Sequence, residues 1–169
     1  RWPRRSSPSS MPNEPLQAAA TMTRSISRSA ARLAAVQALY QQEMEGTPTA
    51  RLLHEFHDHR LGATMEGETY AEAEISFFDD LVGATLARGD EIDQLVGERL
   101  AKGWSLARLD KPMKAILRVG TYELLARKDV PVASVISEYV DVADAFYDAR
   151  EKGFVNGLLD AIAKVARPA

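Results

Sequence analysis

The sequence contains no cysteine, and aromatic residues make up only 7% of its 169 positions. Without cysteine, disulfides, thiolate metal sites and cysteine nucleophiles are excluded. No apolar run approaches the length of a membrane-spanning helix, so we expect no membrane insertion. The glycine patterns of phosphate-binding and dinucleotide-binding loops are absent, as is the Gly-x-Ser-x-Gly turn of many hydrolases. What is present, 46% apolar and 27% charged residues, is typical of a soluble folded protein.

The net charge of −3 conceals an uneven distribution of charge along the chain. Residues 1–40 carry six arginines against one glutamate, a net charge of +5. Residues 41–80 carry two arginines against ten acids, which gives −8, and residues 104–128 carry six bases against two acids, which gives +4. If the two basic segments meet in the fold, they form a patch for a polyanion; if they stay scattered, they serve solubility alone.

Apolar residues recur three and four positions apart through most of the chain, which predicts a series of amphipathic helices. Gly46 stands where glycine commonly ends a helix, and Thr47-Pro48 has the residue types that favour the start of the next one. Gly120 falls inside a helical run and predicts a close contact with another helix. We therefore expect an all-α bundle of about seven helices over residues 28–169.

Residues 1–27 are interpreted separately, because they are rich in Arg, Ser and Pro and have no apolar helix face. They lack the hydrophobic stretch of a secretory signal. We interpret them as a disordered N-terminal extension or a cloning remnant, although an Arg/Ser-rich start also resembles an organellar transit peptide. Met11 and Met22 also allow a start further downstream.

Candidate catalytic and metal-binding groups are sparse in this sequence. All three histidines lie within residues 54–59, where His54 and Asp58 are four positions apart, as two ligands on one helix face would be. The spacing is not that of a zinc-binding helix and no second ligand pair is apparent, so we predict no metal site and no cofactor. The sequence therefore favours a non-catalytic binding protein over an enzyme.

Basic residues at helical spacing mark two candidate binding faces. They are Arg28 and Arg32 on one helix, and Lys111, Lys114 and Arg118 on another. Tyr40 and Phe154 are aromatic residues that can stack on unpaired bases, although core packing is the commoner role of an aromatic at helical spacing. Together these features favour single-stranded RNA over duplex DNA as the ligand.

Four groups of residues, in this order and spacing, resemble the NusB family of transcription antitermination factors over about residues 28–167. They are Ala35-Val36-Gln37-Ala38-Leu39-Tyr40; Ala115-Ile116-Leu117-Arg118 with Tyr122-Glu123-Leu124; Asp129-Val130-Pro131 with Ile136-Ser137-Glu138; and Phe154-Val155-Asn156-Gly157. The resemblance implies a cytoplasmic protein of two helical subdomains without catalytic activity. It also implies pairing with NusE, a small-subunit ribosomal protein, and binding of the pair to single-stranded boxA RNA of nascent transcripts, chiefly from ribosomal RNA operons. Other Nus factors and RNA polymerase complete the implied assembly.

The resemblance also implies which residues contact RNA. They are Arg28, Arg32, Gln37, Tyr40, Lys114, Arg118, Lys152, Gly153 and Phe154. We expect the two basic segments to converge beside Phe154. Met113 stands where an acidic residue is common in the NusE-facing helix, and Ser137 replaces the usual asparagine, so both positions bear on the strength of partner binding.

Two alternatives to this interpretation stay open at the level of the sequence. One is a NusB-like RNA-binding module associated with an RNA cytosine methyltransferase that acts on ribosomal RNA. Because this chain has no cysteine to serve as the nucleophile, such an enzyme would need a further polypeptide. The other is a homodimer, which would bear on whether the RNA-binding surface is accessible.

Overall fold

Seven α-helices and no β-strand are present in the part of the chain that the computed structural model describes, residues 14–58 and 68–168, with side chains described for 28–58 and 75–168. The helices are α1 (Glu14–Glu45), α2 (Thr49–Phe56), α3 (Glu68–Ala87), α4 (Gly89–Arg99), α5 (Lys111–Ala126), α6 (Val132–Asp144) and α7 (Ala149–Ala166). A 3-10 turn, Leu106–Arg108, lies between α4 and α5. The predicted all-α fold of about seven helices is confirmed.

Helix α1 begins at Glu14, well before the start that the sequence pattern predicts. Pro15 lies in its first turn, where proline is tolerated, and the alanine-rich stretch that follows consists largely of good helix formers. The apolar pattern missed this segment because helix propensity alone, without an apolar stripe, gives little signal. Residues 1–13 lie outside the described residues, so the proposed boundary between an extension and the helical domain stays a prediction.

Helix α5 is the centre of the bundle, because ten of its sixteen residues are buried. It packs against α1, α3, α4, α6 and α7 and so contacts helices from both halves of the chain. Helix α1 runs antiparallel to it. Glu43, near the end of α1, binds Lys114 near the start of α5, and Arg28 binds Asp129 just beyond the end of α5.

Helix α7 runs parallel to α5 and approaches it closely. The Tyr147 hydroxyl, just before α7, donates a hydrogen bond to Asp110, just before α5. Further along, a Cβ atom built on Gly120 would lie 3.2 Å from both methyl carbons of Leu159, closer than an ordinary van der Waals contact. The predicted close helix contact at Gly120 is therefore confirmed, and its partner is α7.

These contacts define two ends of the bundle. The upper end holds the last turn of α1, the α4–α5 loop with the start of α5, and the start of α7. The lower end holds the last turn of α5, where Arg167 donates hydrogen bonds to backbone carbonyl oxygens. The acceptors are carbonyls of Glu123, Leu124, Arg127 and Val130. Arg167 thus satisfies the Leu124 carbonyl at the C-terminal end of α5 and ties the loop that follows α5 to the end of α7.

Candidate functional site

Exposed aromatic side chains gather at the upper end of the bundle. Tyr40 is 38% exposed and Phe146 is 39% exposed, and both line an open groove of about 420 Å³ with Gln37 and Met44. Phe154, in the second turn of α7, is also 39% exposed. These rings are not sealed in the core, so each presents an aromatic surface to a ligand.

Arg32 lies in the interior, only 3% exposed, and not on the surface where the sequence pattern predicted it. Its guanidinium donates two hydrogen bonds, of 2.8 and 2.7 Å, to the fully buried carboxylate of Glu123 and also contacts Glu138 at 3.3 Å. The Tyr139 hydroxyl donates to the same Glu123 oxygen that Arg32 Nε contacts, at 2.8 Å. Burial acts to lower the pKa of Arg32, but the hydrogen bonds and charge of Glu123 outweigh it and raise that pKa. A cation held in this way is not presented to an RNA phosphate, so the expected contact is corrected to a structural role.

Arg28 lies at the lower end, away from the aromatic side chains. Its guanidinium is 3.6 Å from Asp129 and stacks over the Phe77 ring, 4.7 Å from the ring centroid. Fifteen residues of α1 separate it from Glu43, the partner of Lys114, which corresponds to roughly 22 Å along the helix axis. The expected convergence of Arg28, Arg32 and Lys114 into one patch is therefore wrong, because Arg32 is buried and Arg28 and Lys114 lie at opposite ends of the bundle.

Lys114 and Arg118 lie on the same face of α5, as their spacing predicts, and both contact Glu43 of α1. Arg118 also forms a two-bonded pair with Asp93 of α4, with distances of 2.8 and 3.0 Å. The hydrogen bonds with Asp93 raise the pKa of Arg118. These two cations tie α5 to its neighbours, and Lys114 lies closer to the upper end.

Lys152 and Gly153 lie in the first turns of α7 and line an open apolar groove of about 730 Å³ between α6 and α7. The Lys152 ammonium is 2.8 Å from the exposed carboxylate of Asp144, and this hydrogen bond raises the pKa of Lys152. An exposed pair of this kind contributes little stability and exchanges readily with another anion. Lys152, with a side chain 32% exposed beside 37% for Arg28, is therefore one of the predicted cations whose charge is accessible.

Every basic residue of the predicted site with a described side chain is paired with a carboxylate. The pairs are Arg28–Asp129, Arg32–Glu123, Lys114–Glu43, Arg118–Asp93 and Lys152–Asp144. Four of these pairs leave no local signal in the sequence, because their members are 25 to 101 positions apart. A count of charge along a segment registers the bases but not the acids that other helices bring to them.

Two histidines of the cluster at residues 54–59 are paired with aspartates in the structure. His54 Nε2 lies 3.1 Å from Asp58, and His57 Nε2 lies 2.5 Å from Asp79 of α3. Within residues 28–58 and 75–168, no group of three or more side chains is arranged to hold a metal ion. None of the helices in the described ranges combines the length and apolar character of a bilayer-spanning segment.

An all-helical bundle with exposed aromatic rings and an accessible lysine at one end defines a class of helical binding proteins. The family model of NusB matches residues 29–164, and the chain belongs to the NusB family.

Three known proteins illustrate this membership. The chain is 67% identical over 144 residues to the transcription antitermination protein NusB of Sphingopyxis alaskensis, an overlap of 85% of this chain and 97% of that protein. The structure of T. maritima NusB matches with a TM-score of 0.71 and 32% identity, over 83% of this chain and 93% of that one. A crystal structure of the antitermination factors NusB and NusE in complex with double-stranded RNA matches with a TM-score of 0.69 and 27% identity, over 82% of this chain and 97% of that one.

Proposed function

We propose that this protein is a transcription antitermination factor that, with NusE, binds single-stranded boxA RNA in nascent transcripts, notably those of ribosomal RNA operons. Family membership and the similarity to a NusB structure that contains NusE and RNA support the proposal. The protein forms and breaks no bond. It acts in the cytoplasm as a scaffold that brings RNA, NusE and other Nus factors to RNA polymerase.

The observation that carries the RNA-binding role is the exposure of two aromatic side chains on different helices of one bundle. Tyr40 near the end of α1 and Phe154 near the start of α7 each leave more than a third of their surface to solvent. Unpaired bases stack on such rings because every base has a π-face. Gln37, beside Tyr40 in the groove, adds an amide that can hydrogen-bond a base edge.

Phosphate groups are contacted by the lysines of the same region. Lys152 exchanges its exposed partner Asp144 for a phosphate at small cost, and Gly153 next to it leaves room for the RNA backbone. Lys114 and Arg118 are held by Glu43, so they lend positive charge to the surface while also fixing α5 to α1. Arg28 remains a proposed contact for a nucleotide further along the strand.

The NusE-facing role assigned to α5 does not involve a charged residue at position 113. Met113 is only 3% exposed, so it contributes packing to that helix and no surface charge. Ser137, by contrast, is exposed and lines the groove between α6 and α7. The chain spans 97% of the Sphingopyxis relative, an antitermination protein, which favours this function over a module of a methyltransferase.

An electrophoretic mobility shift with boxA RNA tests the proposal, with a scrambled RNA, a duplex RNA and the presence or absence of NusE as arms. Phe154→Ala should weaken binding to boxA by roughly 5- to 150-fold, the range expected for the loss of one stacked base. Val165→Ala is the matched control, because Val165 is a 46% exposed apolar residue near the other end of the same helix.

Affinity for boxA should fall linearly with salt on logarithmic axes, since bound phosphates release counterions. Equal affinity for boxA and the scrambled RNA, with NusE present and at every salt concentration, would contradict the proposed function. Preference for the duplex would contradict the single-stranded mode.

A further inference from the structure

The α4–α5 loop carries the most exposed large apolar side chain among the described residues, and the proposed function does not use it. Trp104 is 58% exposed, more than Tyr40 or Phe154. A tryptophan left in solvent loses the burial that usually stabilises so large a side chain. Its exposure therefore indicates a surface that a partner covers.

The loop holds Trp104 in a defined position. The Trp104 backbone N–H donates to the carbonyl of Ala101 at 3.0 Å, and Gly103 between them has φ +90, a conformation that favours glycine. The Arg108 guanidinium donates to the Gly103 carbonyl at 2.7 Å and lies 5.8 Å from the centroid of the Trp104 ring. These bonds fix the backbone at Trp104, and the ring lies beside the Arg108 guanidinium, which lowers the entropy that a ligand must overcome to order it.

Four basic residues close to Trp104 in the chain differ from those of the predicted site. They are Arg99, Lys102, Arg108 and Lys111. Among the side chains described for residues 28–58 and 75–168, no carboxylate forms an ion pair with any of them. The acid between them, Asp110, accepts the hydrogen bond of the Tyr147 hydroxyl. An exposed indole with Arg108 beside its ring and further basic residues close by in the chain matches an anion that also carries flat apolar groups, which describes a nucleic acid strand.

The loop is continuous with the aromatic groove at the upper end. The Lys111 ammonium lies 3.2 Å from the Met44 sulfur, and Met44 lines the groove with Tyr40 and Phe146. The Asp110–Tyr147 hydrogen bond joins the loop to the start of α7. A strand bound in the groove passes the Glu45 carboxylate and Asp110 before it reaches the cations of the α4–α5 loop.

We propose that the α4–α5 loop is a second single-stranded RNA contact, in which Trp104 stacks on a nucleotide flanking the boxA element and Arg99 and Lys102 contact its phosphates. The inference rests on the proposed function for the identity of the RNA. It adds a stacking residue, two cations and a longer binding site than the surface formed by α1 and α7.

Fluorescence of Trp104 tests the proposal in a Trp2→Phe background, where Trp104 is the remaining one of the two tryptophans. The probes are boxA RNA, the same RNA extended by uridines on either side, and a uridine oligonucleotide alone. We expect the extended RNA to quench Trp104 and to bind about 5- to 150-fold tighter than boxA alone, as for one added stacked base. Trp104→Ala should remove this gain and leave binding of the unextended RNA unchanged.

Two variants separate stacking from a loss of loop structure. Trp104→Phe keeps an aromatic ring and should retain most of the gain, and Ser105→Ala, at the exposed neighbouring position, should retain all of it. Replacing Arg99 and Lys102 by alanine should reduce the magnitude of the logarithmic salt slope by about 1.4, since each phosphate contact on a single strand contributes about 0.7.

The outcomes distinguish this inference from the proposed function. If boxA shows no preference over a scrambled RNA but uridines still quench Trp104, the boxA role fails and the loop contact stands. If extended and unextended RNA bind equally and neither quenches Trp104, the inference is overturned. Quenching by a poly-glutamate peptide and not by RNA would also overturn it, because the partner would then be an acidic protein.

Discussion

Two regions of the molecule are rich in basic residues and use them in opposite ways. One is the contact between α1 and α5, called the seam here, which holds Arg28, Arg32 and Lys114. The other is the loop between α4 and α5. In the seam, Arg32 and Lys114 are held by carboxylates from a neighbouring helix. In the loop, Lys102 and Arg99 have no carboxylate partner among the described side chains, and an exposed tryptophan lies close by in the chain. The role of a cation therefore depends on the acids that the fold places beside it and not on the bases near it in the chain.

Removing the buried cation of the seam should cost the most stability. Arg32→Ala should lower the free energy of unfolding by about 3–5 kcal/mol, because it leaves the buried Glu123 carboxylate without its cation. Urea unfolding followed by circular dichroism measures the loss. In the loop, Lys102→Ala is the matched control and should change the stability by less than about 0.5 kcal/mol. Similar values for the two variants would contradict the structural role of the seam cation.

A second prediction tests how tightly the bundle closes around α5. Gly120→Ala should lower the free energy of unfolding by about 1–2 kcal/mol, because the added methyl group meets the buried Leu159 and the cost of overpacking exceeds the gain in helix propensity. Gly157→Ala, at an exposed position of α7 with open space around it, should instead raise stability by about 0.5–1 kcal/mol. Changes of the same sign, measured by thermal or urea unfolding, would contradict the close approach.

The protein should lose stability at alkaline pH as the Tyr122 hydroxyl of α5 ionises. Burial and the 2.7 Å hydrogen bond to Asp80 raise the pKa of Tyr122 to about 12. Because the neutral hydroxyl is favoured in the folded protein, its contribution to stability is complete below pH 10 and is lost as the pH rises from 10 to 12. Unfolding free energies measured across this range should fall less steeply for Tyr122→Phe. Parallel pH profiles for the two proteins would contradict the shift.

The exposed arginine of α1, Arg28, should matter least for stability. Arg28→Ala should change the free energy of unfolding by less than about 1 kcal/mol, because its pair with Asp129 is exposed and 3.6 Å long. The same urea experiment measures it beside Arg32→Ala. A loss as large as that of Arg32→Ala would show that exposure does not separate the two arginines.

Much of the fold could be predicted from the sequence, because helix period and punctuation are local signals. The runs of apolar residues located α2 to α7, and Gly120 indicated a close contact before its partner was known. The start of α1 was missed, since residues 14–27 form a helix without the apolar stripe that the prediction needed.

The candidate site was less predictable, because it depends on contacts between distant residues. Tyr40 and Phe154 are exposed, which is compatible with the RNA contacts that the family resemblance implies, whereas the helical pattern alone favours core packing for both. The burial of Arg32 cannot be predicted from local pattern, because it depends on Glu123, 91 positions away. A count of charge along the chain registers Glu123 only as one acid in a basic segment. A pair of opposite charges at positions that face the core of two helices is the signal that would have found it.

The Arg32–Glu123–Tyr139 cluster also has a consequence for how the chain comes apart. It joins α1 to α5 and α6 through hydrogen bonds that are shielded from water, so separating α1 from α5 leaves a buried charge without its partner. These helices should therefore behave as one cooperative unit, with backbone amides in α1 and α5 exchanging hydrogen at rates set by the same global opening.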